Sequence, residues 1–161
     1  MTSNILTLDL GTKAGFAVGS VGHILSGVWD LKAGRFEGGG MRFMKFRTRL
    51  NELHAAYPLD AVFFEEVRNH KGVDAAHVYG GLMGILTEWC EENKIPYTGV
   101  PVGEIKRNWT GKGNANKAAM IAECERRGFK PKDDNEADAI AIFDVAIKRL
   151  HPELSDKEDF A

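Results

Sequence analysis

The stretch Ile5-Leu6-Thr7-Leu8-Asp9-Leu10-Gly11-Thr12-Lys13-Ala14-Gly15-Phe16-Ala17-Val18 decides the fold. An apolar run leads into a single aspartate, a glycine-containing turn follows, and a second apolar run begins. The pattern predicts a hairpin of two strands with Asp9 near the end of the first. Side chains alternate along a strand, so Leu6 and Leu8 share one face and Ile5, Thr7 and Asp9 share the other. A carboxylate that ends a core strand is costly unless a charge meets it. A hard cation such as Mg²⁺ is the simplest partner for several such carboxylates. The plainer alternative is a turn cap, with Asp9 accepting from the amides of Gly11 or Thr12.

Working outward, residues 4–10, 14–20 and 23–31 read as three consecutive strands with tight glycine-bearing turns. Gly34 and Gly38-Gly39-Gly40 mark a loop, and 41–57 reads as a helix ended by Pro58. Asp60 to Val67 is a fourth strand, again apolar and again ending in acid, at Glu65-Glu66. Helix 74–93, strand 95–100, a short helix 101–109, a loop over 109–114 and a helix 116–127 closed by Gly128 follow. Asp133-Asp134-Asn135-Glu136 reads as a capping box that opens a last helix running to about Leu150. The order implies an α/β fold. It has a mixed five-stranded sheet, in which a three-strand antiparallel meander joins parallel strands, flanked by helices. One domain, 1–150, is expected, with 151–161 as an acidic tail that frays.

The 161 residues can bury a core without staples. Cys90 and Cys124 lie in helical segments with no metal-ligand spacing and read as buried thiols of a reducing compartment. No apolar run approaches a membrane span and the N-terminus carries no basic-then-apolar signal, so a cytoplasmic protein without membrane contact is expected. Net charge is −2, yet basic residues cluster over 41–50 and 101–132. That distribution suits a nucleic-acid enzyme and suits an ordinary soluble enzyme equally.

The last helix carries the sharper signal. Ala137, Ala139, Ile140, Ala141 and Ile142 make it apolar, yet Asp138 sits among them, past the first turn, with Asp134 four residues earlier on the same face. Asp134 alone is explained by the dipole of the helix N-terminus; Asp138 is not. Asp9, one of Glu65 and Glu66, and Asp138, converging on one point, would make an oxygen-ligand site for one or two Mg²⁺. Two metals about 3.5–4 Å apart clamp the attacking and leaving oxygens of an in-line phosphodiester displacement. Whichever of Glu65 and Glu66 does not join the site is a solvated strand-end acid.

These residues also match a family pattern. The chain resembles the RuvC Holliday junction resolvases of the RNase H-like superfamily. The likeness rests on the Asp9-Leu10-Gly11-Thr12-x-x-Gly15 opening, the Phe64-Glu65-Glu66-Val67 strand end, and Gly80-Gly81-Leu82-Met83-Gly84 leading to Ile95-Pro96-Tyr97. It rests further on the Gly113-Asn114-Ala115-Asn116-Lys117-Ala118 helix start and the closing Glu136-Ala137-Asp138-Ala139-Ile140-Ala141. It spans about residues 4–148, and size and divergence point to a phage or prophage member.

The resemblance implies Asp9, Glu65 and Asp138 as catalytic, metal-binding acids, with Lys117 beside the scissile phosphate. The plain reading of Lys117 is a solvated lysine, but a cation in a helix's first turn opposes the dipole, and a phosphate would explain it. Three departures stand out. Asn135 occupies the position three residues before the final aspartate where an acid or histidine is common, so Asp134 or Asn135 is left to complete the site. Arg68 stands where bacterial members carry an aromatic, and Glu66 where an uncharged residue is usual. Lys112, Lys117, Arg68, Lys71, Lys106 and Arg107 are the expected DNA contacts.

The implied activity is Mg²⁺-dependent endonucleolytic resolution of four-way DNA junctions by paired symmetric nicks, with two ions per site and Mn²⁺ able to substitute. A two-fold junction calls for a homodimer, expected through helix 74–93, where Ala76, Gly80, Met83 and Gly84 form a stripe of low relief. The alternatives are a generic branched-DNA or flap nuclease, an actin-like phosphate-binding ATPase fragment, and a non-catalytic RNase H-like scaffold. The ATPase reading shares the Asp-Leu-Gly-Thr hairpin but calls for a second homologous domain and a glycine-rich adenosine site.

Overall fold

The computed structural model describes residues 3–155. Strands β1 (Ile5–Asp9), β2 (Lys13–Ser20) and β3 (His23–Asp30) are followed by α1 (Met41–Ala56), β4 (Ala61–Glu66), α2 (Val73–Glu92), β5 (Tyr97–Pro101), α3 (Val102–Thr110), α4 (Lys117–Arg126) and α5 (Asp134–Leu150). The sheet order is β3-β2-β1-β4-β5. The first three strands pair antiparallel, while β1–β4 and β4–β5 pair parallel, as the alternation of elements predicts.

Alternation along the strands divides the interior in two. Ile5, Ala17, Phe63 and Val100 face α3, α4 and α5. Leu6, Leu8, Val18, Val62 and Phe64 face α1 and α2. The central strand β1 is therefore buried on both sides, and its one core hydroxyl needs a partner. Thr7 Oγ1 donates to the Ala139 carbonyl at 2.7 Å, tying β1 directly to α5. Helix α5 is buried from Ala139 to Ile147, which explains its apolar sequence.

Helix ends account for the small boundary differences. Strand β5 starts at Tyr97 rather than Ile95, because the Ile95 amide donates to Cys90 O and Lys94 N to Glu91 O. These two bonds close α2 with Lys94 in the left-handed region at φ 57. The same pair of bonds closes α4, there with Gly128 at φ 94. At the start of α5, Asp133 Oδ1 accepts from Glu136 N at 2.9 Å, as expected. The Glu136 carboxylate does not return to the Asp133 amide. It accepts from Lys132 N at 2.8 Å and from Ser26 Oγ at 2.7 Å, so a capping side chain doubles as a bond to β3.

On α2, Leu82, Leu86, Trp89 and Cys90 are buried against the sheet, whereas Gly80 and Gly84 are exposed with nothing near them. Gly80 and Gly84 are thus off the sheet-covering face of the helix, whereas Met83 of the same stripe packs against that core. Of the tail expected to fray, Pro152–Leu154 forms a 3-10 turn with Leu154 packed on the core, and 156–161 lie outside the described residues. Among the described residues no helix is long and apolar enough to cross a membrane.

Candidate active site

Two parallel neighbours, β1 and β4, end side by side. Their last paired residues are Leu8 and Phe64, so Asp9 and Glu65 follow as neighbours on the face turned toward α5. Glu66, one residue on, points to the opposite face and lies 3.5 Å from Arg68. The alternation of the strand therefore selects Glu65. Asp138 arrives from α5, one residue before the Ala139 carbonyl that Thr7 holds. Carboxylate oxygens of Asp9, Glu65 and Asp138 all lie within 4.8 Å of one another, and each residue is half-buried.

Three contacts position these acids. Gly15 pairs with Asp9 across the hairpin. A Cβ on Gly15 would stand 1.8 Å from the carbonyl oxygen of Asn135, so only glycine lets the first turn of α5 settle on β2. Tyr79 of α2 donates its hydroxyl to the Glu65 carbonyl at 2.6 Å and accepts from Val67 N at 3.1 Å, clamping the chain where β4 ends. Thr7 fixes α5 lengthwise on β1. Sequence reasoning singled out none of these three as a positioning residue. Thr7 carried a faint signal, a hydroxyl between two core leucines; Tyr79 carried none.

Crowding shows in the acid–base properties. Burial, then the neighbouring Glu65 and Asp138 carboxylates, a hydrogen bond from Glu65 and the charge of Asp134 hold the Asp9 carboxyl well above the usual carboxylate range. Asp138 is pushed up to about 7, by burial first and then by Glu65 and Asp134, with Lys106 and Lys117 pulling the other way. Like charges held this close favour a cation between them. The donor set is oxygen only, which suits Mg²⁺ or Mn²⁺ and not a thiolate-seeking metal.

The basic residues divide. Lys117, in the first turn of α4 and largely exposed, reaches Asp134 at 3.5 Å. Lys106 and Lys117 both act on Asp138. The charge of Asp134 acts on Asp138, though Asp134 lies outside the group of three converging carboxylates, and the Asn135 side-chain Nδ2 donates to Asp133 Oδ2 at 3.2 Å. Arg68 and Lys71 are exposed on the segment after β4, and Lys112 is exposed on the turn after α3. Arg107 lies over Gly103 and Gly113 and lines a shallow cavity with Glu104, Asn108 and Lys148.

No protein-family model and no curated protein sequence matches the chain. Solved structures do. Thermus thermophilus RuvC superposes with a TM-score of 0.73 at 22% identity, covering 92% of this chain and 96% of that one. The T. thermophilus RuvC in complex with Holliday junction substrate gives 0.73 at 21% identity, over 91% and 94%. The yeast mitochondrial Holliday junction resolvase Ydc2 gives 0.64 at 13%, over 96% and 84%. The likeness carried by five short sequence motifs extends, as a likeness of fold, to more than nine-tenths of the chain, and that fold is the one of the RuvC resolvases.

Proposed function

We propose that this protein is a Mg²⁺-dependent endonuclease that resolves four-way DNA junctions by paired symmetric nicks. The observation that carries the reading is the convergence of Asp9, Glu65 and Asp138 within 4.8 Å at the end of a sheet with the RuvC fold. One of the RuvC structures sharing that fold holds a Holliday junction substrate. In this reading the three acids hold two divalent ions, with Asp134 behind them. Bound there, Mg²⁺ supplies charge neutralisation at the scissile phosphate and lowers the pKa of the attacking water.

The chain's own residues do the rest. Thr7, Gly15 and Tyr79 hold the acids in register. Lys117 brings its ammonium to the phosphate as negative charge builds on it. Lys106, Lys112, Arg107, Arg68 and Lys71 bind the flanking backbone. Two copies meet through the exposed Gly80 and Gly84 face of α2, giving one site per opposing strand.

Incubating the protein with a four-way junction and Mg²⁺ or Mn²⁺ should give two symmetric nicks, with little cleavage of flap or duplex controls. Asp9→Asn should abolish cleavage and leave junction binding intact or tighter, since one negative charge facing the phosphates is gone. Wild-type turnover by a folded Asp9→Asn protein would overturn the metal site. Equal cleavage of flaps and junctions would make the chain a general branched-DNA nuclease.

A further inference from the structure

The connection between β3 and α1, residues 31–40, is not used by the site just described. Its tip carries Phe36, at 94% exposure the most exposed large hydrophobic residue among those described. The loop beneath it is firmly built. Leu31 is buried and its amide donates to Thr12 O at 2.8 Å, anchoring the loop to the turn that follows Asp9. Glu37 N donates to Gly34 O at 3.0 Å, closing a tight turn with Arg35 and Phe36 at its centre. Lys45 Nζ donates to Lys32 O at 2.9 Å and to Glu37 Oε1 at 2.8 Å, and the Glu37 carboxylate also accepts from Gly34 N. The aromatic ring is therefore presented at the apex of a braced turn, not left on a loose strand of chain.

Its surroundings are basic. The Arg35 guanidinium lies 5.5 Å from the Phe36 ring centre. Among the described residues Lys32, Arg35 and Arg42 have no acidic partner, and Arg42 Nε is buried with no hydrogen-bond partner at all. Arg42 lies in the first turn of α1, which contains no acidic residue. A cation there opposes the helix dipole, and an anion would satisfy both. Topology sets the location. Strand β3 runs antiparallel to β2, and β2 antiparallel to β1, so β3 finishes at the same end of the strands as Asp9 and Glu65, two strands away from β1.

We infer that this loop is a second DNA-contacting element, in which Phe36 stacks on a base face left open where helical stacking is interrupted at the branch point, while Arg35 and Arg42 hold adjacent phosphates. The inference rests on the nuclease reading and adds the element that recognises branching. An exposed aromatic beside guanidinium groups matches what single-stranded bases offer, a flat π-face flanked by anions. A continuous duplex hides its internal base faces in the stack, so the contact discriminates branched from linear DNA.

The test uses the full chain in EDTA, where the proposed cleavage does not run, with a fluorescent four-way junction and a linear duplex of equal length. Phe36→Ala should weaken junction binding by about 5- to 150-fold and leave duplex binding nearly unchanged. Phe36→Trp should restore junction binding. Its new indole should be quenched by the junction, against Trp29, Trp89 and Trp109, which are all buried. Arg42→Gln should lower the slope of log affinity against log salt by about one. Equal junction affinity for wild type and Phe36→Ala, or equal losses on junction and duplex, would overturn the inference while leaving the nuclease reading intact. A change of oligomeric state in Phe36→Ala, read by light scattering, would assign the loop to a contact between copies and overturn it too. Absence of junction binding by the wild type would remove the nuclease reading itself, and this inference with it.

Discussion

Gly15 of β2 and Asn135 of α5 meet backbone to backbone, so closely that a Cβ on Gly15 would stand 1.8 Å from the Asn135 carbonyl oxygen and 2.9 Å from Glu136 N. The obstacle would be peptide groups, which cannot swing aside as a long side chain can. Gly15→Ala should therefore lift the first turn of α5, with Asp138 one turn further on. The expected cost is at least the ~1–3 kcal/mol of an overpacked core. A drop in melting temperature together with loss of metal-dependent cleavage is predicted. A fully active Gly15→Ala protein of wild-type stability would show that α5 is not seated by this contact.

The raised acid of α5 gives a pH signature. Asp138 moves from the ordinary aspartate value of 3.8 to about 7, so the folded state holds its proton more tightly than the unfolded state does. The stability this contributes is complete below pH 3.8 and is lost as pH rises through about 7. Metal-free protein should thus lose melting temperature between about pH 4 and 8, and Asp138→Asn should flatten that decline. Mg²⁺ should raise the melting temperature at pH 8 and scarcely at pH 5, where protons occupy the acids. Thermal melts in EDTA and in MgCl₂ check both statements.

Lys117 is exposed and lies 3.5 Å from Asp134, so its removal disturbs no core. Lys117→Ala should slow single-turnover cleavage by about 10²–10³-fold, the usual scale for a charge that meets developing negative charge. Junction affinity should fall far less. Equal losses in rate and binding would reduce Lys117 to a backbone contact.

Gly84 lies exposed on α2, and a side chain added there meets nothing within 4 Å of its Cβ. Gly84→Arg should leave circular dichroism unchanged. If α2 forms the dimer, light scattering should report a monomer, and paired nicking should decline to single nicks. A wild-type monomer at micromolar concentration that still nicks in pairs would dispose of the dimer.

Much of this site is legible in the sequence because each acid interrupts a strong pattern. Asp9 and Glu65 end apolar period-two runs, and Asp138 breaks an apolar helical face; the interruption is the signal. The residue pattern alone leaves Glu65 and Glu66 open, because alternation fixes relative faces but not which face meets α5; the family resemblance points to Glu65, and the pairing of β4 with β1 places it on the face turned toward α5. Tyr79, Thr7 and Gly15 were not legible as positioning residues for a different reason. Each acts through a backbone group of a residue 12, 132 or 120 positions away. Backbone groups are the same in every residue, so such contacts leave no mark on residue type. Glu136 shows the intermediate case: the local pattern located its cap correctly, yet its carboxylate serves Ser26, which is 110 residues distant.

The two strand-borne acids hang from paired neighbours, and the third rides on a helix held by Thr7 and Gly15. Asp9 and Glu65 therefore share one sheet, while the placement of Asp138 depends on how α5 is seated by Thr7 and Gly15. In the proposed metal site, altered ion preference need not begin at the acids: a change of bulk under α5 would retune the gap for a larger or smaller ion while all three acids stay the same.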